Sequence, residues 1–197
     1  SGLTATASQI ITVIDNTNPI ISAPANISVN ANSACAAFNV NLGTPIATDN
    51  CSVASVVNNA PSVFSLGSTN VTWTVTDASG NTATAIQVVT VVDNTNPTIT
   101  APANVTVNAN SSCAAFNVAL GTPITADNCS VASVANNAPT VFPLGNTTVT
   151  WTVTDGAGLT ATATQVVTVV DNTNPTIVAP IALTVSTNTA CTATGVI

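Results

Sequence analysis

The chain contains one stretch, Val91-Val92-Asp93-Asn94-Thr95-Asn96-Pro97, in three close copies. The other two copies begin at Val13 and Val169, so the stretch recurs with a constant period of about 78 residues. Tryptophan keeps the same step, at Trp73 and Trp151. A fixed period of this length indicates tandem copies of one folded unit.

Two complete units are predicted, at residues 15–92 and 93–170, and most of their aligned positions are identical. Residues 1–14 are predicted to be the last strand of a preceding repeat, and residues 171–197 the start of a following one. The chain is therefore expected to be a segment of a longer array.

The composition restricts the function. The 197 residues include no Lys, Arg or His, and seven Asp give a net charge of −7. A chain without basic residues has nothing to neutralise phosphates, so we expect no nucleic-acid partner. No apolar run approaches the ~20 residues that span a bilayer, so we expect no membrane insertion. Because His, Lys, Glu and Tyr are also missing from the acid–base repertoire, we expect no enzymatic activity.

The clearest secondary-structure pattern alternates Val149, Trp151 and Val153 with threonines. A period of two with one polar face predicts a half-buried strand. Six or seven such strands are predicted in each unit, with residues 121–128 as a loop and no helix. The expected fold class is all-β, with tandem β-sandwiches of the immunoglobulin-like or fibronectin-III-like type. Trp151 and Phe142 are the predicted large core residues.

All seven aspartates occupy three positions of the repeat: the linker (Asp15, Asp93, Asp171), the loop after the second strand (Asp49, Asp127) and the last hairpin (Asp77, Asp155). In a head-to-tail string of sandwiches, the linker enters at one pole of each unit. The direction of successive strands brings both the loop and the hairpin back to that pole. Three carboxylates are therefore predicted to converge at each junction.

Three carboxylates without a cationic partner repel one another, and a hard divalent cation removes that cost. We therefore predict calcium at the junctions, with linker amides and Asn128 placed to help. The predicted ligands are Asp15, Asn16, Asn18, Asp49, Asp77, Asp93, Asn94, Asn96, Asp127, Asp155 and Asp171. The alternative is that Asp and Asn serve only as turn-forming surface residues.

The five cysteines, in a chain without His or a C-x-x-C motif, indicate disulfides in an oxidising compartment. The spacing favours bonds within units, Cys35–Cys51 and Cys113–Cys129. The strand directions oppose them, because they place the two cysteines of a unit at opposite poles. The alternative is a bond between repeats, Cys35–Cys129. Cys191 is expected to have a partner outside the sequence.

The combination of Asp-Asn-Thr-Asn-Pro (93–97), Asp-Asn-Cys (127–129) and the run from Phe142 to Asp155 resembles the hyalin repeat (HYR) family over essentially the whole chain. The resemblance implies an immunoglobulin-like fold, a secreted or cell-surface location and a role in adhesion, as in the stalks of bacterial surface adhesins. The linker is also similar to the calcium-binding junction of cadherins, although Thr95 replaces the second acid of that motif.

The predicted function is a structural stalk or filament segment of a long extracellular protein, with calcium-stiffened junctions. The expected partners are neighbouring repeats of the same chain. One alternative is a module that binds a glycan or a protein. Another is a self-assembling filament subunit, in which other copies of the chain are the partners.

Overall fold

The computed structural model describes residues 1–110 and 112–184, and the strands of this part form two copies of one arrangement. The first repeat contains eight strands: β1 (Ile20–Ser22), β2 (Ile27–Asn30), β3 (Ala36–Phe38), β4 (Ile46–Thr48), β5 (Val53–Asn58), β6 (Val63–Ser65), β7 (Gly67–Asp77) and β8 (Thr82–Val92). No helix occurs among the described residues, so none there could cross a membrane.

The second repeat follows the same order in β9 (Thr98–Thr100), β10 (Val105–Asn108), β11 (Ala114–Phe116), β12 (Ile124–Ala126), β13 (Val131–Asn136), β14 (Val141–Pro143), β15 (Gly145–Asp155) and β16 (Thr160–Val170). The all-β class and the tandem sandwiches are confirmed. The strand β12 was not predicted, because the short segment between Pro123 and Asp127 is too brief to show an alternation.

Each repeat has two layers. One layer is a four-stranded sheet in the order β2-β8-β7-β5, or β10-β16-β15-β13. The other consists of the short antiparallel pairs β1–β4 and β3–β6, or their counterparts β9–β12 and β11–β14. Strands β1 and β6 both contact β7 and β8, which closes the sandwich over the inner face of the sheet.

The alternation in β7 explains the core. Val71, Trp73 and Val75 are buried, whereas the threonines between them are half-buried on the outer face. Phe64 of β6 joins them from the opposite layer. The second repeat buries the corresponding residues, so Trp151 and Phe142 are core residues as predicted.

The strand directions fix the two poles of a repeat. β2 pairs with β8 in parallel, from Ile27 opposite Val89 to Asn30 opposite Val92. The turn that follows β2 therefore lies at the exit pole, where Ala31 N–H donates to the carbonyl of Val92 at 2.7 Å. The linker 93–97 leaves the first repeat beside this turn.

Residues 1–14 form no strand in the structure, which differs from the last strand predicted there. In the two complete repeats the last strand pairs with the second and seventh strands of its own sandwich. Residues 1–14 take no part in any of these sheets. Of the predicted start of a following repeat at 171–197, residues 171–184 contain no strand and residues 185–197 lie outside the described part.

Candidate metal centre at the repeat junction

The structure brings six of the seven aspartates into two clusters, one at the entry pole of each repeat. Asp15, Asp49 and Asp77 form the first cluster, and Asp93, Asp127 and Asp155 form the second. Within each cluster, one carboxylate oxygen from each residue lies within 4.8 Å of the other two. The convergence of linker, loop and hairpin that the strand directions predict is therefore present in both repeats.

Tight turns position the carboxylates of the second cluster. Asp93 Oδ1 accepts a hydrogen bond from Thr95 N–H at 3.1 Å. Asp127 Oδ2 accepts from the backbone N–H groups of Cys129 and Ser130, at 2.8 and 2.9 Å. Each turn holds one oxygen of a carboxylate and fixes the direction of the other.

The hairpin between β15 and β16 supplies the third carboxylate in the same manner. Asp155 Oδ1 accepts from the N–H groups of Ala157 and Leu159, at 2.9 and 2.7 Å. Asp155 is 2% exposed and Asp93 is 8% exposed, so two of the three charges lie almost wholly out of water.

The second oxygen of each carboxylate in this cluster is buried and has no hydrogen-bond partner in the described part of the chain. These atoms are Asp93 Oδ2, Asp127 Oδ1 and Asp155 Oδ2. Asn128 Oδ1 is a fourth buried oxygen of this kind. Buried acceptors without partners are costly, and a cluster of such oxygens is the donor set that a hard divalent cation prefers.

Hydrogen bonds satisfy the first cluster more completely. Asp77 Oδ2 accepts from Asn81 Nδ2 at 2.8 Å, and Asp15 Oδ1 accepts from Asn50 Nδ2 at 3.3 Å. Only Asp15 Oδ2 and Asp49 Oδ1 are buried without a partner there, counted over the residues described.

Two of the carboxylates in the first cluster have lowered pKa values. The Thr17 backbone N–H, followed by the Asn50 amide, lowers the pKa of Asp15 below 3.8. Burial raises the pKa of Asp77, but hydrogen bonds from the side chain and backbone of Asn81 and from the hairpin outweigh it, so its pKa is also lowered.

One linker asparagine of the second repeat, Asn94, turns away from the cluster. Asn94 Nδ2 donates to Asn30 Oδ1 of the first repeat at 2.9 Å, and Asn96 is exposed. Asn16 and Asn18 are exposed at the entry of the first repeat. The Asn94 amide therefore points away from its own pole, whereas Asn16, Asn18 and Asn96 stay predictions as ligands.

Asp171 lies outside both clusters. It is exposed and accepts hydrogen bonds from the backbone N–H and the hydroxyl of Thr173. The Thr173 hydroxyl is the main cause that lowers its pKa.

The disulfide joins the two repeats. Cys35 is bonded to Cys129, with their Cα atoms 4.5 Å apart and a sequence separation of 94. The bonds predicted within repeats, Cys35–Cys51 and Cys113–Cys129, are not formed, because each would join opposite poles of one sandwich. Cys51 and Cys113 are exposed and have no disulfide partner among the described residues, and Cys191 lies outside them.

The loop 127–130 thus carries both a carboxylate of the second cluster and the cysteine bonded to the first repeat. Between them, Asn128 Nδ2 donates to the carbonyl of Asn32, in the turn that also contains Cys35, at 3.3 Å. Cys129 packs against the core of the first repeat.

The amide side chains of Asn50 and Asn81 were not among the predicted ligands, although their positions beside the loop and hairpin aspartates were a usable sequence signal.

A shallow cavity of about 200 Å³ lies beside the second cluster. Its lining consists of Thr95, Asn96, Thr98, Ala126, Asp127 and Asn128. Ligand pockets commonly have volumes of roughly 300–1,000 Å³ and aromatic linings. This cavity has neither property.

Comparison with known proteins identifies two similar segments. The family model described as HYR domain matches residues 14–91 and 92–169, so the second match follows directly on the first. Hyalin of Strongylocentrotus purpuratus is 33% identical over 183 residues, which cover 87% of this chain and 15% of that protein. Hyalin of Lytechinus variegatus is 34% identical over 192 residues, which cover 90% of this chain and 36% of that protein. The chain thus spans well under two thirds of either relative.

Among solved structures, Drosophila N-cadherin EC1-4 is similar with a TM-score of 0.39 and 9% identity. That match covers 79% of this chain and 50% of the cadherin. Cadherin domains 3–6 of protocadherin gamma B2 give a TM-score of 0.41 and 15% identity, covering 80% of this chain and 52% of that one.

Proposed function

The chain belongs to the HYR domain family, and from that premise we propose that it is a structural segment of a secreted or cell-surface adhesion protein. In this role each junction between repeats is held by a calcium ion and a disulfide. An oxidising, extracellular setting suits the Cys35–Cys129 bond, since disulfides persist outside the reducing cytosol. We assign the repeats no catalytic role.

The observation that carries the proposal is the set of unpartnered carboxylate oxygens in the second cluster. Asp93, Asp127 and Asp155 each use one oxygen in a backbone turn and keep the other buried and, within the described residues, unpartnered. The sequence contains no Lys, Arg or His that could neutralise them. A bound cation would supply the missing positive charge and satisfy the three oxygens together.

Calcium fits this donor set better than other biological cations. All the available donors are oxygen atoms, which hard cations prefer, whereas zinc sites use mostly sulfur and nitrogen. Calcium also tolerates irregular ligand arrangements, whereas magnesium requires a nearly octahedral shell and retains several waters. We therefore expect magnesium to replace calcium poorly.

An ion at this place would stiffen the junction because its ligands come from three separate elements. Asp93 lies on the linker, Asp127 on the loop before β13 and Asp155 on the last hairpin. The ion would therefore tie the linker to the second repeat. The disulfide and the Asn128–Asn32 hydrogen bond tie the first repeat to the same loop.

The test is to compare the chain in calcium and in chelator by thermal unfolding and small-angle scattering. At a calcium concentration of 100 times Kd, binding to the folded state contributes about 2.7 kcal/mol, so the melting temperature should rise by roughly 10 °C. Scattering should show a narrower distribution of angles between the two repeats. If chelator changes neither the melting temperature nor the distribution of angles, the chain does not bind calcium at its junctions.

Two single variants make the test specific. Asp127→Asn keeps an oxygen for the backbone turn but removes a charge, so it should abolish the calcium response of the second cluster. In chelator the same variant should be at least as stable as the wild type, because it relieves repulsion. Asp171→Asn is the matched control, since it removes the same charge from a residue outside both clusters.

The rival functions receive less support. A glycan- or protein-binding module would need a recognition surface, and the cavity beside the second cluster is small and has no aromatic platform. A glycan or protein ligand that bound reproducibly with micromolar affinity would favour that class. Concentration-dependent growth of particles in solution would favour a self-assembling filament of several copies of the chain.

A further inference from the structure

The hairpins of the two carboxylate clusters differ at three positions, and at only one of them does a side chain hydrogen-bond to its cluster. Asn81 occupies the position four residues after Asp77, and Leu159 occupies the position four residues after Asp155. The backbones match, since the N–H groups of Asn81 and Leu159 both donate to the hairpin carboxylate, at 2.8 and 2.7 Å. Both side chains are half-buried, so they differ mainly in chemistry.

The Asn81 amide places hydrogen-bond donors inside the first cluster. Asn81 Nδ2 donates to Asp77 Oδ2 at 2.8 Å and to the carbonyl oxygen of Asp15 at 3.2 Å. A carboxylate oxygen that accepts such a bond is already stabilised. A cation entering this cluster must therefore compete with the amide for Asp77.

The second cluster lacks this donor. Leu159 offers no N–H group in its side chain, and Asp155 Oδ2 is buried without a partner in the described part of the chain. The amide of the loop also differs between the clusters. Asn50 Nδ2 donates to Asp15 Oδ1, whereas Asn128 Nδ2 donates to the carbonyl of Asn32 in the preceding repeat.

We propose that the two clusters bind divalent cations with unequal affinity, and that the residue four positions after the hairpin aspartate sets the difference. The proposal rests on the function proposed above. The cluster with Leu159 is the tight site, because its oxygens gain their first partner when the ion binds. The cluster with Asn81 is the weak site. Since one hydrogen bond to a charged group is lost in the weak site alone, the affinities should differ by about tenfold or more.

The experiment is a calorimetric titration of the full chain, stripped of metal, with calcium alone. Two classes of site are expected. Asp155→Asn should remove the tight class and Asp77→Asn the weak class, which assigns each class to its cluster. Asn81→Leu should strengthen the weak site by about tenfold, and Leu159→Asn should weaken the tight site by a similar factor. Circular dichroism in chelator checks that each variant is folded.

The outcomes separate this proposal from the function on which it rests. If the two sites had equal affinity and neither Asn81→Leu nor Leu159→Asn changed it, the proposed role of this position would be wrong. The proposal of calcium at the junction would still stand. Weaker binding in Asn81→Leu would also overturn it, since the amide would then be supplying an oxygen ligand. Absence of any calcium binding at either cluster would overturn both proposals.

Discussion

In each repeat a buried glutamine joins the only tryptophan to two backbone segments. Gln87 and Gln165 are fully buried. Trp73 Nε1 donates to Gln87 Oε1 at 3.1 Å, and Gln87 Nε2 donates to the carbonyls of Ala25 and Leu42 at 2.8 and 2.9 Å. The amide thus connects the four-stranded sheet to the loop between β1 and β2 and to the loop between β3 and β4, and every polar atom of the group has a partner.

Replacing Gln87 by Leu should destabilise the first repeat strongly. The change leaves the Trp73 indole N–H and two carbonyls without partners, and each buried unpaired group costs about 1–3 kcal/mol. Because some of these groups can relax toward water, we expect a total loss of roughly 3 kcal/mol in the free energy of unfolding. Urea denaturation followed by tryptophan fluorescence measures it.

The matched control is Ile86→Thr, which copies the second repeat at the neighbouring, outward-facing position of β8. It should change the free energy of unfolding by less than about 0.5 kcal/mol. A Gln87→Leu chain as stable as this control would show that the glutamine is not a structural cross-link.

The sequence contained the information for this residue, because the alternation of β8 places Gln87 on the same face as Val89 and Val91. Glutamine is usually exposed in folded proteins, and this general rule argues against placing Gln87 in the core. The carboxylates were easier to predict, since strand direction alone brings Asp93, Asp127 and Asp155 to one pole. The side-chain amides were harder, because a rotation about one bond decides whether an asparagine faces its own cluster or the preceding repeat.

At the scale of the element, the turn before β3 and the loop before β13 determine how the repeats meet. The turn carries Cys35 at the exit pole of the first repeat, and the loop carries Cys129 at the entry pole of the second. The closeness of Cys35 and Cys51 in sequence suggested a bond within the repeat. Strand direction opposed it, and the structure follows strand direction, because a disulfide requires Cα atoms within about 7 Å.

Replacing Cys35 by Ser should loosen the junction and leave both sandwiches folded. The disulfide closes a covalent loop with a sequence separation of 94, which in the chain-entropy treatment contributes about 4–5 kcal/mol against unfolding. Without it, the two repeats should unfold in separate transitions, at lower denaturant concentration. Circular dichroism during denaturation checks this.

Cys113→Ser is the control, because Cys113 is the residue equivalent to Cys35 but has no disulfide partner in the region described. It should leave the unfolding curve unchanged. If Cys113→Ser instead lowered the denaturant concentration at which the second repeat unfolds, a disulfide within the repeat would be indicated. Peptide mapping without reductant would show the same result directly.

At the scale of the whole molecule, the constant repeat period predicted the organisation because one folded unit copied in tandem must reproduce its strands. The two repeats have the same eight strands in the same order. The contact between them was harder to predict, since it depends on atoms of a turn and a loop that are far apart in sequence.

The bond between Cys35 and Cys129 also decides which residues can carry a mechanical load. When the two ends of the chain are pulled, tension crosses the disulfide and bypasses the covalent loop between these residues. An extended chain spans at most about 3.5 Å per residue, so the loop withholds on the order of 300 Å of contour length.

Single-molecule pulling should therefore show a chain that stops about 300 Å shorter when oxidised than when reduced. Equal contour lengths in the two states would contradict this path of force. The withheld loop includes most of the first sandwich and the first half of the second, so neither can be drawn out completely. A tether made in this way would lengthen only by unfolding the residues outside the loop, and a reductant would release the rest of its length.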